Sequence, residues 1–132
     1  MDKRIFFISG HRDITNEEFN TLYVPKILDV IGKYDAYFII GDYEGVDIMS
    51  QNFLIDELCY DVDKICVYHI GLFPMNINDN IKNTKPYFLD DIHRDSTMTR
   101  ESDEDIAFIR EGKNNSGTAQ NILRRLTFKS PN

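Results

Sequence analysis

Cysteine, positive charge and long apolar runs are all scarce in this chain, and each scarcity removes a class of function. Only two cysteines occur, Cys59 and Cys66. They lack the paired spacing of a zinc site and read as buried thiols in a reducing compartment. The 15 Lys and Arg face 22 Asp and Glu, a formal net charge of −7. Gripping a nucleic-acid backbone takes clustered cations that neutralise phosphates, so this balance argues against nucleic acid as a partner. A small anionic ligand would need a local positive pocket instead. The apolar run at 4–9 is too short for a signal-peptide core or a membrane span, so a cytoplasmic protein without membrane association is expected. Two nucleotide fingerprints are missing as well. No GxGxxG follows the first expected strand and no GxxxxGK precedes Ser or Thr, which argues against the common dinucleotide enzymes and P-loop ATPases.

What is present is the composition of one folded domain. With 132 residues, 42% apolar and 28% charged, residues 1–132 suit a single core, and 127–132 read as a frayed tail. The segments at 4–9 ("RIFFIS"), 36–40 ("AYFII"), 64–70 ("KICVYHI") and 105–110 ("DIAFIR") have the look of strands covered on both faces. Between the first two, Thr15 and Glu18 have capping-box spacing, and Phe19, Leu22, Tyr23, Ile27 and Ile31 recur at helical intervals. Pro25 is expected to kink or divide that helix, and Gly32 to stop it. A second helix carries Met49, Phe53, Leu54 and Leu58 on one face, a third covers 90–102, and "SGTAQNILRRL" begins a last one. Residues 71–89 hold Pro74 and Pro86 and show no period, the mark of a long loop of the kind that covers a site. The alternation predicts an α/β fold: a single Rossmann-like domain with an open, mostly parallel sheet of four to five strands and helices on both faces.

In such sheets ligands bind beyond the carboxyl ends of the strands, where neighbouring connections diverge. Three segments fall there: "SGHRD" at 9–13, "GDYEGVD" at 41–47 and "GKNNSGT" at 112–118. Each joins glycine to polar residues and opens a helix, so each can aim backbone amides and a positive dipole end at an anion. Any one alone is equally an ordinary turn. Together they describe a phosphate or nucleotide site, with Ser9, Gly10, His11 and Arg12 in the first loop, Gly41, Asp42 and Gly45 in the second, and Lys113, Ser116, Gly117 and Thr118 in the third.

The ordered set "ISGHRD", "GDYEGVD", "RDSTMTRESDEDIAF" and "GKNNSGTAQNILRR" resembles the SLOG superfamily of Rossmann-like domains, in particular its small stand-alone members with GxxxGxD after the second strand. The likeness covers nearly the whole chain. It implies a site for a nucleotide or nucleotide-derived ligand, such as a ribose phosphate or an ADP-ribose-like compound, with phosphate held by the glycine-containing loops. Related phosphoribohydrolases cut the bond between base and ribose 5-phosphate with a PGGxGTxxE motif and a nearby arginine. By position, Ser116, Gly117 and Thr118 match that phosphate loop in part, with Asn115 and Ser116 where glycines are expected. The motif's glutamate falls at Asn121, preceded by Gln120. Both are amides, which hydrogen-bond a ribose hydroxyl but neither accept a proton nor stabilise an oxocarbenium ion by charge. The resemblance of "RDSTM" to the family's arginine-to-methionine segment points to Arg94 and Met98 at the site.

Binding therefore leads the functional expectation, and N-glycosidase action on a nucleoside 5′-monophosphate is the alternative. For that chemistry Glu44 and Asp47 are the catalytic candidates, as groups that orient water or support charge at the anomeric carbon. Arg12, Arg94, Arg100 and Lys113 are the nearest cations. Arg94 and Arg100 lie six apart and point in opposite directions on a helix, so one of them faces the site, and the competing role for Arg94 is an ion pair with Asp90 or Asp91. His11, His69 and His93 make a weak case for a zinc triad. The acids from Glu101 to Asp105 read as a solvated connection rather than a cation site. No cofactor or metal is expected. A homodimer and an interaction module without ligand remain open.

Overall fold

The computed structural model describes residues 1–113 and 116–128. Asn115, compared above with a family glycine, and the tail residues 129–132 lie outside the described residues. Five strands, β1 (Lys3–Ile8), β2 (Asp35–Ile40), β3 (Ile65–Ile70), β4 (Thr84–Phe88) and β5 (Glu104–Ile106), form one sheet in the order β4-β3-β2-β1-β5. Every pairing is parallel. Because parallel neighbours need crossovers, helices cover both faces. Phe6, Ile8, Phe38, Ile40, Ile65, Val67 and Ile106 pack under the helices between β1 and β3. On the opposite face Phe7, Ile39, Tyr68 and Phe88 pack with Met98.

The first helical segment is divided as its proline predicts. Thr15 and Glu18 form a reciprocal capping box before α1 (Asn16–Glu18), a wider π turn follows at Phe19–Tyr23, and α2 (Val24–Lys33) carries Pro25 in its first turn. Proline has no N–H, and at a helix start none is required. Gly32 does not end this helix. Tyr34 caps it in extended conformation, and nothing lies within 4 Å of where a Gly32 Cβ would sit. α3 (Val46–Asn52) runs into a second π turn at Phe53–Glu57. α4 (Asp91–Arg100) is capped by the Asp90 carboxylate on the His93 N–H, and α5 (Gly117–Phe128) continues through residues 127 and 128, where a frayed tail was expected.

Three further expectations are corrected. Residues 71–89 are not one loop, since β4 lies within them, and Pro86 is tolerated because β4 is an edge strand. Nor does this segment cover the cleft described below. Asn78 donates to Asn52 and Asp56, Gln51 accepts from the Asn78 N–H, and Asp42 accepts from the Met75 N–H, which fastens the segment to α3 and the loop after β2. Strand β5 stops at Ile106 instead of running to Arg110, because side chains take the next amides out of the ladder. The Tyr23 hydroxyl accepts from Phe108 N–H and His11 Nε2 from Arg110 N–H. Finally, Cys59 is exposed and Cys66 half-buried, both as free thiols. No helix among the described residues is long and apolar enough to cross a membrane.

Candidate functional site

The strand order reverses direction between β1 and β5, and the loops after β1 and β2 separate there from the N-terminus of α5. A cleft of about 320 Å³ opens at that point. Its walls contain Ser9, Gly10, His11 and Arg12 from the first loop, Gly41 and Asp47 from the second, Arg94 from α4, Ser116 just before α5, and Gly117, Thr118 and Asn121 from α5. Asp42, Glu44, Gly45, Met98, Lys113 and Gln120 are not on those walls. Met98 is fully buried against Phe7 and Tyr68 in the core, so it supports the floor without reaching the cleft. Glu44, Lys113 and Gln120 are exposed. Asp42 is buried behind the wall, where its carboxylate receives Arg94.

Gly45 locks the first two loops together. Its φ is +77°, and an added Cβ would lie 2.4 Å from the His11 carbonyl oxygen and 2.5 Å from that of Arg12. Only glycine holds that left-handed backbone against another chain segment at such range. Gly41 makes room of a different kind, since a Cβ there would come within 2.6 Å of Asp47 Oδ2. The Tyr23 hydroxyl donates to the Ser9 carbonyl at 2.8 Å and so ties the first loop to the helix below. On the far wall Ser116 caps α5 through its hydroxyl on the Ala119 N–H. Gly117, Thr118 and Asn121 present the first turn of that helix to the cleft, where its positive end favours an anion.

The charges divide the cleft. Arg94 has a side chain only 4% exposed and is held by Asp42 and Asp95, each at 3.0 Å. These are its partners in place of the expected Asp90 or Asp91. Burial opposes its charge, but Asp95, Asp47 and Asp42 together leave its pKa above the ordinary value. Arg12 is different. It is exposed, lies 3.9 Å over the Tyr43 ring, and makes no salt bridge among the described residues. Arg94 lies against the same ring at 4.4 Å, and the Tyr43 hydroxyl donates to Asp91. His11 accepts through Nε2, and burial followed by the neighbouring Arg110 lowers its pKa, so the ring is neutral at pH 7 with its proton on Nδ1.

Asp47 occupies the first turn of α3, and its Oδ2 accepts the Tyr43 N–H at 3.1 Å. Burial pushes its carboxyl up to about 8, against the pull of Arg94. Burial likewise raises Asp95, which Arg94 and Asn121 only partly offset. The Ser9 hydroxyl is buried at the cleft wall with no protein partner among the described residues.

The cleft thus has an anion-receptive side, made of Arg12, the first-loop backbone and the α5 N-terminus, and an acceptor side made of Asp91 and Asp95. Sequence reasoning missed Phe7, Tyr43, Asp91 and Asp95. The last two were findable, because Asp91, Arg94 and Asp95 have the i, i+3, i+4 spacing that shares one helix face. The three histidines do not converge. His69 is buried on the sheet, and His93 accepts from the Leu89 N–H; no metal-type cluster of His, Cys, Asp and Glu occurs among the described residues. Of the acids at 101–105, Glu101 and Asp103 are exposed, as a solvated connection requires, yet each is also engaged: Glu101 with Lys85 and Tyr68, Asp103 with the Ile5 N–H, Glu104 with Arg4 and the more buried Asp105 with Arg125. Comparison of the chain with family models, curated proteins and solved structures found no match.

Proposed function

We propose that the protein binds a nucleotide or a nucleotide-derived ligand of the ribose phosphate type in this cleft, as a SLOG-like domain. The observation that carries the reading is the convergence of the first loop, the second loop and the α5 N-terminus on one open cleft at the reversal of strand order. Phosphate would meet Arg12 and the backbone of Ser116 to Thr118, while ribose hydroxyls would donate to Asp91 and Asp95 and meet the amide of Asn121. A thermal-shift panel of nucleotides, deoxynucleotides and ADP-ribose tests it. A true ligand at a hundredfold its Kd adds about 2.7 kcal/mol of stability, and the Arg12→Ala variant should lose most of that gain. A panel without any response would sink the proposal.

Turnover is the second reading, supported by the carboxylates that line the cleft. Glu44 is off those walls and burial pushes the Asp47 carboxyl up to about 8, so Asp95, beside Asn121 and with its own rise partly offset by Arg94, is the better placed candidate to support positive charge at an anomeric carbon. Chromatographic release of free base from nucleoside 5′-monophosphates would establish it, and release that persists in Asp95→Asn would remove that residue from the mechanism.

A further inference from the structure

Asp47 lies beside a cation that is already fully engaged. The single buried guanidinium of Arg94 is shared by Asp42 and Asp95, so one cation already serves two carboxylates before Asp47 is counted. A third anion here would face two like charges in a mostly buried corner of the cleft. The Oδ2 of Asp47 is committed to the Tyr43 N–H, and it lies so close to Gly41 that a Cβ there would come within 2.6 Å of it. Its Oδ1 has no hydrogen-bond partner among the described residues, although Asp47 is part of the cleft wall. Carboxylic acid needs an acceptor for its O–H, and the cleft is where one can be supplied. On the wall of the same cleft, the buried Ser9 hydroxyl also lacks a partner among the described residues.

We propose that Asp47 serves as a carboxylic acid that donates a hydrogen bond from Oδ1 to an anionic oxygen of the ligand, so that the cleft takes up its anion together with a proton. This deepens the ribose phosphate reading and depends on it. The raised carboxyl of Asp47 agrees with the geometry, and a bound anion nearby would hold the proton more firmly still. Other charged or titratable groups facing it are Arg94 and Asp95 of α4, Asp42 of the second loop, Arg12 of the first loop and Tyr23 beneath, with His11 and Asp91 on the surrounding walls. The proton balance is simple: above pH 8, binding one anion draws one proton from solvent onto Asp47, and no other bond is made or broken.

Calorimetric titration of the wild-type protein with ribose 5-phosphate between pH 7.5 and 9.5 tests this, since the second phosphate ionisation lies near 6, below that range. Affinity should fall roughly 20- to 30-fold across the interval. At pH 9, two buffers of different ionisation enthalpy should report uptake of close to one proton per ligand. Asp47→Asn, whose amide can still donate, should bind at every pH within a few-fold of the wild type at pH 7.5. Wild-type affinity that stays flat with no proton uptake, or the same pH dependence in Asp47→Asn, overturns the proposal while leaving the binding site in place. Failure of ribose 5-phosphate and every nucleotide tested to bind at any pH overturns both.

Discussion

Replacing Asp47 by Asn should change how stability depends on pH even without ligand. The folded protein holds this carboxyl at about 8, whereas the ordinary value is 3.8. Between those limits the folded state binds the proton and the unfolded chain does not. Stability from this group is therefore full below about pH 4 and is lost as pH rises towards 8. The slope is about 1.36 kcal/mol per pH unit, so the step from pH 6.5 to pH 8 removes roughly 1.5–2 kcal/mol, allowing for rounding near the midpoint. For a chain of 132 residues that is a fall in Tm of roughly 5–7 °C. His11 works in the opposite sense, because its lowered value makes the folded state gain stability as pH rises to about 6.5. The Asp47→Asn variant keeps His11, so the comparison between the two proteins cancels that contribution. Thermal unfolding of wild type and Asp47→Asn, followed by circular dichroism at half-unit steps, gives the comparison. The wild-type curve should fall by that amount relative to the variant. Parallel curves would mean that the carboxyl is ionised at neutral pH, and the account of the buried corner would be wrong.

Other perturbations follow from the same geometry. Gly45→Ala must place a Cβ into the His11 and Arg12 backbone at positive φ and should cost at least about 2–3 kcal/mol in urea unfolding, whereas Gly112→Ala, at φ +81° with open space around it, should cost only about 1 kcal/mol. Arg94→Met leaves Asp42 and Asp95 buried without their cation and should destabilise by about 3–5 kcal/mol at pH 7; a loss below about 1 kcal/mol would show that the two acids are relieved in some other way. Met98→Ala should cost about 2–5 kcal/mol in denaturant while leaving ligand affinity near wild type, as a core residue would.

Much of this fold was legible because continuous apolar runs mark parallel strands and helical spacing marks the helices between them. Strand β4 escaped, since Thr84, Lys85 and Pro86 carry none of the apolar content of a central strand and an edge strand does not require it. The end of β5 escaped for another reason: the groups that intercept its amides, His11 and Tyr23, come from distant parts of the chain. At the cleft, the loops were placed by their glycines. The roles of individual residues were not. Asp47 reads as an ordinary helix-start acid until Asp42 and Asp95 are seen to share Arg94, and Arg12 emerges as the less encumbered cation only when that pairing is known.

The two borders of the sheet have a consequence for how molecules of this protein meet at high concentration. A bare strand edge invites another chain to add its own backbone, and repetition of that step builds fibres. One border here is β5, with only three residues in the ladder. The other is β4, where Pro86 offers no N–H and Tyr87 takes a φ of +72° that breaks the extended run. Neither border supplies a straight template long enough for an incoming strand, so self-association through added strands has poor ground on which to start.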